Sequence, residues 1–287
     1  MNEYEGKIEQ VQRQYRTSSD NVRSSFSRDP EAALEHYRNL VDFLIGVAPP
    51  DSKSARLKVL DAGCGTGWST YALSEKGYDA LGVDLNVDSF EPKTSDRLRF
   101  AAGSVLGVPF RNDRFDLVFS YQCIEHVPNP EKALQEMIRV CKPGGVVSVI
   151  GPNLVTPFVP LMYIAKPSAW KSIPLRRVDS TPKHPYGNTW LENIGSIFYK
   201  SYQLSQKLLT PGPTFTMRIP DDRPPFHADN DACYLCNPVD LVRYFKRLGF
   251  EILRSGRPGR PPLSRFLAGG TWVAVRKPMD APEHKGI

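Results

Sequence analysis

The sequence predicts an α/β protein built on a mostly parallel sheet covered on both faces. Three observations carry that prediction. The stretch Val59-Leu60-Asp61-Ala62-Gly63-Cys64-Gly65-Thr66-Gly67-Trp68 reads as a short buried strand, a glycine-rich turn and the start of a helix. Apolar runs of strand length recur at Lys58–Asp61, Ala80–Asp84, Leu98–Ala101, Phe115–Ser120 and Val146–Ile150, with helical segments at about 67–76 and 130–141 between them. The runs are rich in Val, Leu, Ile and Phe, as in strands buried on both faces of a parallel sheet.

In chain order, residues 1–30 are polar, with helical stretches broken by Ser-rich segments. A helix follows from about Pro30. Asp29-Pro30-Glu31 is a start signal, and Leu34, Tyr37, Leu40, Val41 and Leu44 recur at helical spacing until Pro49-Pro50 ends the run. Gly77 stops the helix after the glycine turn, and Pro143-Gly144-Gly145 stops the one before the fifth strand. Only about a dozen residues, 86–97, connect the second strand to the third. Beyond the fifth strand the alternation ceases until about Asn237, in a stretch rich in proline, aromatic residues, arginine and lysine. Loops longer than about 15 residues without secondary structure are uncommon, so this stretch is expected to contain helices. Trp190–Leu209 is the best of them, with Leu191, Ile194, Ile197, Phe198, Tyr202, Leu204 and Leu208 on an apolar stripe. The core pattern resumes with a helix over Pro238–Leu248, Gly249 as its stop, a strand at Phe250–Leu253, a Pro/Arg-rich loop at 254–265 and a last strand at Trp272–Arg276. The expected division is a helical cover at 1–50, a core at 51–152 and 238–277, an inserted lid at 153–237 and a tail at 278–287.

A formal charge of +6 and a pI near 9.0 fit either a solvated surface or attraction to an anionic substrate, nucleic acid or membrane. No apolar run approaches the ~18 residues of a bilayer span. The polar start MNEYEGKIEQVQRQYR carries no apolar signal region, and five cysteines without such a signal fit reduced thiols and a cytoplasmic setting. Cys64 and Cys123 fall in core turns, as packing residues.

Glycines at 63, 65 and 67 permit positive φ and close approach of a ligand to the main chain. A dinucleotide fingerprint, G-x-G-x-x-G, needs a third glycine where Trp68 stands. Asp61, before the first glycine, can face a cationic group. Asp84 ends the second strand seventeen residues beyond Gly67, where a carboxylate suits ribose hydroxyls or, alternatively, a helix N-cap. Ligands lie beyond the carboxyl ends of parallel strands, so Asp61, Asp84, Ser104 and Ser120-Tyr121 are expected to line one crevice.

VLDAGCGTG closely resembles the first motif of the class I S-adenosylmethionine-dependent methyltransferases. Ala102-Gly103-Ser104-Val105, Phe115-Asp116-Leu117-Val118-Phe119-Ser120 and Cys141-Lys142-Pro143-Gly144-Gly145 resemble the later motifs, and the likeness covers about residues 57–152, and 238–277 more loosely. The resemblance implies a Rossmann-like, seven-stranded, mostly parallel sheet with an antiparallel last strand and a large helical lid insertion. It implies S-adenosyl-L-methionine as methyl donor, held by Asp61, Gly63, Cys64, Gly65, Thr66, Gly67, Asp84, Leu85, Ser104, Val105 and Tyr121. The family often has an acidic residue where Ser104 stands, so Ser104 or a backbone group would make the adenine contact.

Tyr121-Gln122-Cys123-Ile124-Glu125-His126-Val127 is similar to a segment of the ubiquinone-biosynthesis O-methyltransferases associated with a metal. Gln122 replaces the first carboxylate, and a neutral amide is a weaker ligand for a hard cation, so no metal is expected. Glu125-His126 reads either as a structural pair or with His126 as the base that removes an acceptor's proton. His227, in Pro225-Phe226-His227-Ala228-Asp229-Asn230-Asp231, reads as a base oriented by Asp229 or Asp231, or as a surface turn; His184 is the other histidine of the insertion. Cys233 and Cys236 lack a second ligand pair and read as packing. The apolar run Leu154–Ile164 precedes Lys166, Lys171, Arg176, Arg177, Lys183 and His184. This fits either membrane contact through 154–183, at the inner face of a membrane, or a lid that packs on the core. Arg254, Arg257, Arg260 and Arg265 form a second cluster, expected near the substrate mouth.

The reading is O-methylation of a small-molecule, sugar or lipid-linked acceptor chosen by the lid. The Asn/Asp-Pro-Pro-Tyr/Phe motif of amino methylation is absent after the fourth strand, and no nucleic-acid module stands out. Two alternatives remain, an RNA methyltransferase suggested by the charge and a non-catalytic binding module that keeps the fold.

Overall fold

The computed structural model describes residue 6 and residues 30–49, 56–86, 90–157, 190–218, 232–256 and 269–280. In chain order these form α1 (Pro30–Val47), β1 (Lys58–Ala62), α2 (Trp68–Ser74), β2 (Asp79–Asp84), β3 (Leu98–Ala102), β4 (Phe115–Tyr121), a 3-10 turn (Ile124–His126), α3 (Pro130–Val140), β5 (Cys141–Pro152), α4 (Trp190–Leu209), α5 (Pro238–Arg247), β6 (Glu251–Ser255) and β7 (Gly270–Arg276). The strands join in one sheet in the order β3-β2-β1-β4-β5-β7-β6. Pairing is parallel from β3 to β5, and β7 runs antiparallel to both β5 and β6.

Period-two alternation sends side chains to two separate cores. Val59, Leu117, Phe119, Val146 and Ile150 face Leu40, Phe43 and Leu44 of α1 and Ala72 and Leu73 of α2. Leu60, Val118, Val147 and Val149 face Ala133, Leu134 and Met137 of α3 and Leu241 and Phe245 of α5. Both α3 and α5 begin at an Asn-Pro pair. The Asn129 side chain accepts from Lys132 N–H and that of Asn237 from Asp240 N–H, while the proline occupies a first-turn position that needs no donor.

One boundary differs from expectation. Helix α3 ends at Val140, and Pro143-Gly144-Gly145 lies inside β5 rather than stopping the helix. There the register with β4 jumps from Phe115–Cys141 to Leu117–Val146, a bulge that Gly144 relieves with a φ of 73°. The Lys142 ammonium spans the irregularity to Asp116 at 2.5 Å.

Because β2 and β3 lie on one side of β1 while β4 and β5 lie on the other, the order reverses between β1 and β4. Open α/β sheets bind ligands at the carboxyl end of such a reversal.

The insertion begins and ends at one neck. Leu154 N–H donates to Cys236 O at 2.9 Å, Leu235 N–H to Thr216 O at 2.9 Å and Arg218 N–H to Cys233 O at 2.6 Å. Helix α4 is fastened to α5 by a buried ion pair. The Lys207 ammonium donates to Asp240 Oδ2 at 2.6 Å, Thr214 Oγ1 at 2.7 Å and Thr216 Oγ1 at 3.0 Å. The Asn237 amide donates to the same carboxylate at 2.8 Å, and the Arg243 guanidinium caps α4 through the carbonyls of Lys207, Leu208 and Thr210. Further along α4, Lys200 donates to Leu154 O at 3.0 Å, and burial, with the charge of Arg218, lowers its pKa to about 8.

The Lys207 and Asp240 side chains are 4% and 0% exposed, so neither charge can fall back on water. Lys207→Met should therefore cost roughly 3–5 kcal/mol in urea unfolding, whereas Lys207→Met with Asp240→Leu should recover most of that loss. A single variant as stable as the parent would mean that the pair is not the fastening.

Candidate active site

The carboxyl ends of β1, β2 and β4 meet at the glycine turn. Gly63 N–H and Cys64 N–H both donate to Val83 O of β2, at 2.8 and 3.1 Å, and Gly67 N–H closes the turn on Cys64 O at 2.9 Å. Positive φ angles of 83°, 54° and 90° at Gly63, Gly65 and Gly67 place all three in the region that favours glycine.

The three glycines divide their duties. A Cβ on Gly63 would lie 2.2 Å from Cys123 Sγ, and one on Gly67 would lie 2.6 Å from the Phe100 ring. The space freed at these two positions is thus filled by the protein, not kept for a ligand as the spacing suggests. At Gly65 a Cβ would meet nothing within 4 Å, so only this glycine opens onto free space. Val105 lies beside the same turn, its Cγ1 3.8 Å from the Gly63 position.

Asp84, at the end of β2, holds the apex. Its Oδ2 accepts from Gly65 N–H at 2.9 Å and its Oδ1 from Asn86 N–H at 3.0 Å. Asp84 therefore braces the turn, and no helix directly follows it among the described residues. Leu85 beside it is 53% exposed. Ser104 opens a tight turn in which its Oγ accepts from Leu106 N–H at 3.1 Å. Thr66 O accepts from Glu91 N–H at 3.0 Å, and Trp68 Nε1 donates to Glu91 Oε2 at 2.6 Å. The tryptophan that breaks the dinucleotide pattern thus anchors the connector between β2 and β3, where Phe90 stacks on Phe100.

Asp61 is buried. Its Oδ2 accepts from Ser69 Oγ at 2.6 Å and Thr70 Oγ1 at 2.9 Å, whereas Oδ1 has no hydrogen-bond partner. Burial raises its pKa to about 7, Ser69 and Thr70 oppose the rise, and the charge of Asp84 adds to it. A buried carboxylate with one unmatched oxygen suits a cation. Ser120, expected along the crevice, is instead fully buried beside Cys123 within the sheet. Burial pushes the Cys64 and Cys123 thiols well up, which fits packing and not reactivity.

Tyr37 is a site residue that the sequence reading took only for part of the α1 stripe. Its ring meets Tyr121, at the end of β4, edge to face at 5.7 Å. Burial first, and then the nearby Asp61 charge, raise its hydroxyl pKa. Helix α1 thus places an aromatic lid member over the switch point. A tyrosine within an apolar helical stripe was the only signal for it.

At the 3-10 turn, Glu125 is wholly buried. Its side chain lies against Gly151, where a Cβ would sit 3.1 Å from Oε2. Its carbonyl accepts from Cys233 N–H at 2.8 Å and Tyr234 N–H at 2.9 Å. His126 Nε2 lies 3.9 Å from Glu125 Oε1, with the imidazole 25% exposed. The pair thus divides into an inward carboxylate and an outward imidazole at the rim. Cys233 and Cys236 are buried. Arg254, expected at the substrate mouth, lies on β6 at the sheet edge, its guanidinium 3.4 Å from the Gly46 Cβ position in α1. His184, His227, the basic run 166–184 and Arg257, Arg260 and Arg265 lie outside the described residues.

A family model described as a methyltransferase domain matches residues 60–149. The chain is similar to the chloroplastic tocopherol O-methyltransferase of Arabidopsis thaliana, 30% identical over 138 residues, which is 45% of this chain and 39% of that protein. It is likewise similar to the demethylmenaquinone methyltransferase of Renibacterium salmoninarum, 33% identical over 115 residues, 39% of this chain and 46% of that protein. It spans under half the length of these curated relatives. A solved S-adenosylmethionine dependent methyltransferase from Mesorhizobium loti aligns over 85% of this chain and 100% of that one, at 15% identity and a TM-score of 0.49. The family match runs from β1 through the glycine turn into β5, so residues 60–149 form a methyltransferase domain, on a sheet of the mostly parallel kind that the resemblance to the class I S-adenosylmethionine-dependent methyltransferases implies.

Proposed function

We propose that this protein transfers a methyl group from S-adenosylmethionine to a small-molecule or lipid-linked acceptor, with oxygen as the favoured acceptor atom. The observation that carries the reading is the switch-point arrangement. Gly65 opens on free space, Asp84 braces it, and Asp61, at the end of β1 before the turn, keeps one oxygen unmatched. The curated relatives bear on the acceptor. Their names span tocopherol O-, norajmaline N- and sterol 24-C-methyltransferases, all with small or lipid-like acceptors.

In this reading each residue has a bounded task. Asp84, at the carboxyl end of β2 beside the turn, accepts from ribose hydroxyls. Gly65 admits the donor against the main chain. Asp61 balances the donor's positive end in a setting where burial has removed water. Tyr37 and Tyr121 wall the site from the α1 side. S-adenosylmethionine supplies a methyl already activated by its sulfonium, so the protein's main contribution is alignment. His126, at the rim, takes the proton from an acceptor hydroxyl, and buried Glu125 orients it.

Three outcomes test this. In calorimetric titration, Asp84→Asn should weaken donor binding roughly tenfold to a hundredfold, the range for a lost hydrogen bond to a charged group; unchanged affinity would remove Asp84 from the donor site. Asp61 is protonated below about pH 7 in the donor-free protein, and a cationic donor prefers the ionised form. Donor affinity should therefore rise severalfold from roughly pH 6 to pH 8, and Asp61→Asn should flatten the profile. A profile already flat in the parent would mean that Asp61 does not face the cation. With a panel of phenol and hydroquinone acceptors, and S-adenosylhomocysteine release as the readout, His126→Gln should lower kcat about a hundredfold or more while leaving donor affinity intact. Undiminished turnover would assign His126 a structural role.

A further inference from the structure

Helix α4 turns Lys200 and Lys207 inward beside Leu204, and four large aromatic or aliphatic side chains outward. Lys200 and Lys207 are 5% and 3% exposed, while Phe198, Tyr199, Tyr202 and Leu209 are 72%, 61%, 61% and 79% exposed. At about 100° per residue the two lysines fall within about 20° of each other on the helical wheel. The exposed four, with Gly195, Ser205 and Gln206 among them, occupy the opposite arc, and no charged residue interrupts it. A surface helix ordinarily carries the reverse arrangement. Here burying two ammonium groups costs desolvation, offset by Leu154 O for Lys200 and by Asp240 for Lys207. Four large exposed aromatic or aliphatic side chains on one uncharged arc mark a contact surface.

We propose that this face of α4 docks the protein on an anionic lipid surface, with Phe198, Tyr199, Tyr202 and Leu209 entering the headgroup–acyl boundary. Three features select lipid as the occupant. Phenol rings suit the interface, where one end is apolar and the tip is wet. The chain carries a formal charge of +6 and complements an anionic leaflet, while the docking face itself is neutral and offers a protein partner no ion pair. The face is also fastened beside the site, because Lys200 bonds the carbonyl of Leu154, two residues past the end of β5 at the sheet's carboxyl edge. The inference rests on the methyl-transfer reading for its purpose, since docking would bring the crevice to an acceptor that stays in the bilayer. The expected contact through 154–183 lies, from residue 158 on, outside the described residues.

The test is flotation of the purified full chain with vesicles of phosphatidylcholine carrying about a third phosphatidylserine, and with phosphatidylcholine alone. The parent should float with the anionic vesicles. The triple variant Phe198→Ser, Tyr202→Ser and Leu209→Ser should lose at least about tenfold in bound fraction, with its thermal midpoint and donor affinity unchanged because the three side chains are exposed. No flotation of the parent, equal flotation of the variant, or a parent dimer that the variant dissolves would overturn the proposal, the last by giving the face to a second copy. Calorimetric donor binding by the parent separates this from the reading above. Intact donor binding without flotation overturns docking alone, whereas flotation without donor binding overturns methyl transfer alone.

Discussion

The carboxyl edge of the sheet depends on the attachment of the 63–67 turn to β2. Val83 O takes two backbone donors from the turn, and the Asp84 carboxylate takes a third at its apex. From the other side Cys123 fills the volume a side chain at Gly63 would need. The turn is therefore clamped from both sides by the protein's own groups, and its shape is set by them. Such preorganisation lowers the ordering cost of binding.

That clamp also concentrates negative charge. Burial and, after it, the Asp84 charge raise the proton affinity of Asp61, and Trp68 brings Glu91 close to the same turn. Burial makes an uncompensated carboxylate expensive at Asp61, so the site stores an unfavourable interaction that a cation relieves. The tyrosines close the α1 side without contributing charge of their own.

Much of this was legible in the sequence. The strand runs, the turn at 63–67, the Asn-Pro helix starts and Gly249 are local signals, and each of the seven strands appears within a few residues of its expected place except at the amino end of β5. There Pro143-Gly144-Gly145 reads as a breaker in any local window, and only pairing with β4 turns it into a bulge. The positions of Asp61 and Asp84 followed from the strand ends. Their duties did not, because the helix that might have needed Asp84 as a cap is absent among the described residues, and Gly65 takes its place. Tyr37, Glu91 and Phe100 reach the site through packing between elements far apart in sequence, which no spacing records. The inward turn of Lys200 and Lys207 was hidden for the same reason, since an apolar stripe on a helix does not say which side faces the core.

The neck of the insertion has a consequence for how such a chain can diversify. Leu154 and Cys236 hydrogen-bond across the place where the insertion leaves and rejoins the core. The cost of closing a loop grows only slowly with its length, so extra length between these two residues costs little wherever the fastening of α4 to Asp240 and Leu154 is kept. Segments of different size and composition can be exchanged at this junction while the glycine turn and its braces stay untouched. The sheet and the neck thus make a fixed frame, and the chain carried between them can change without remodelling the strands.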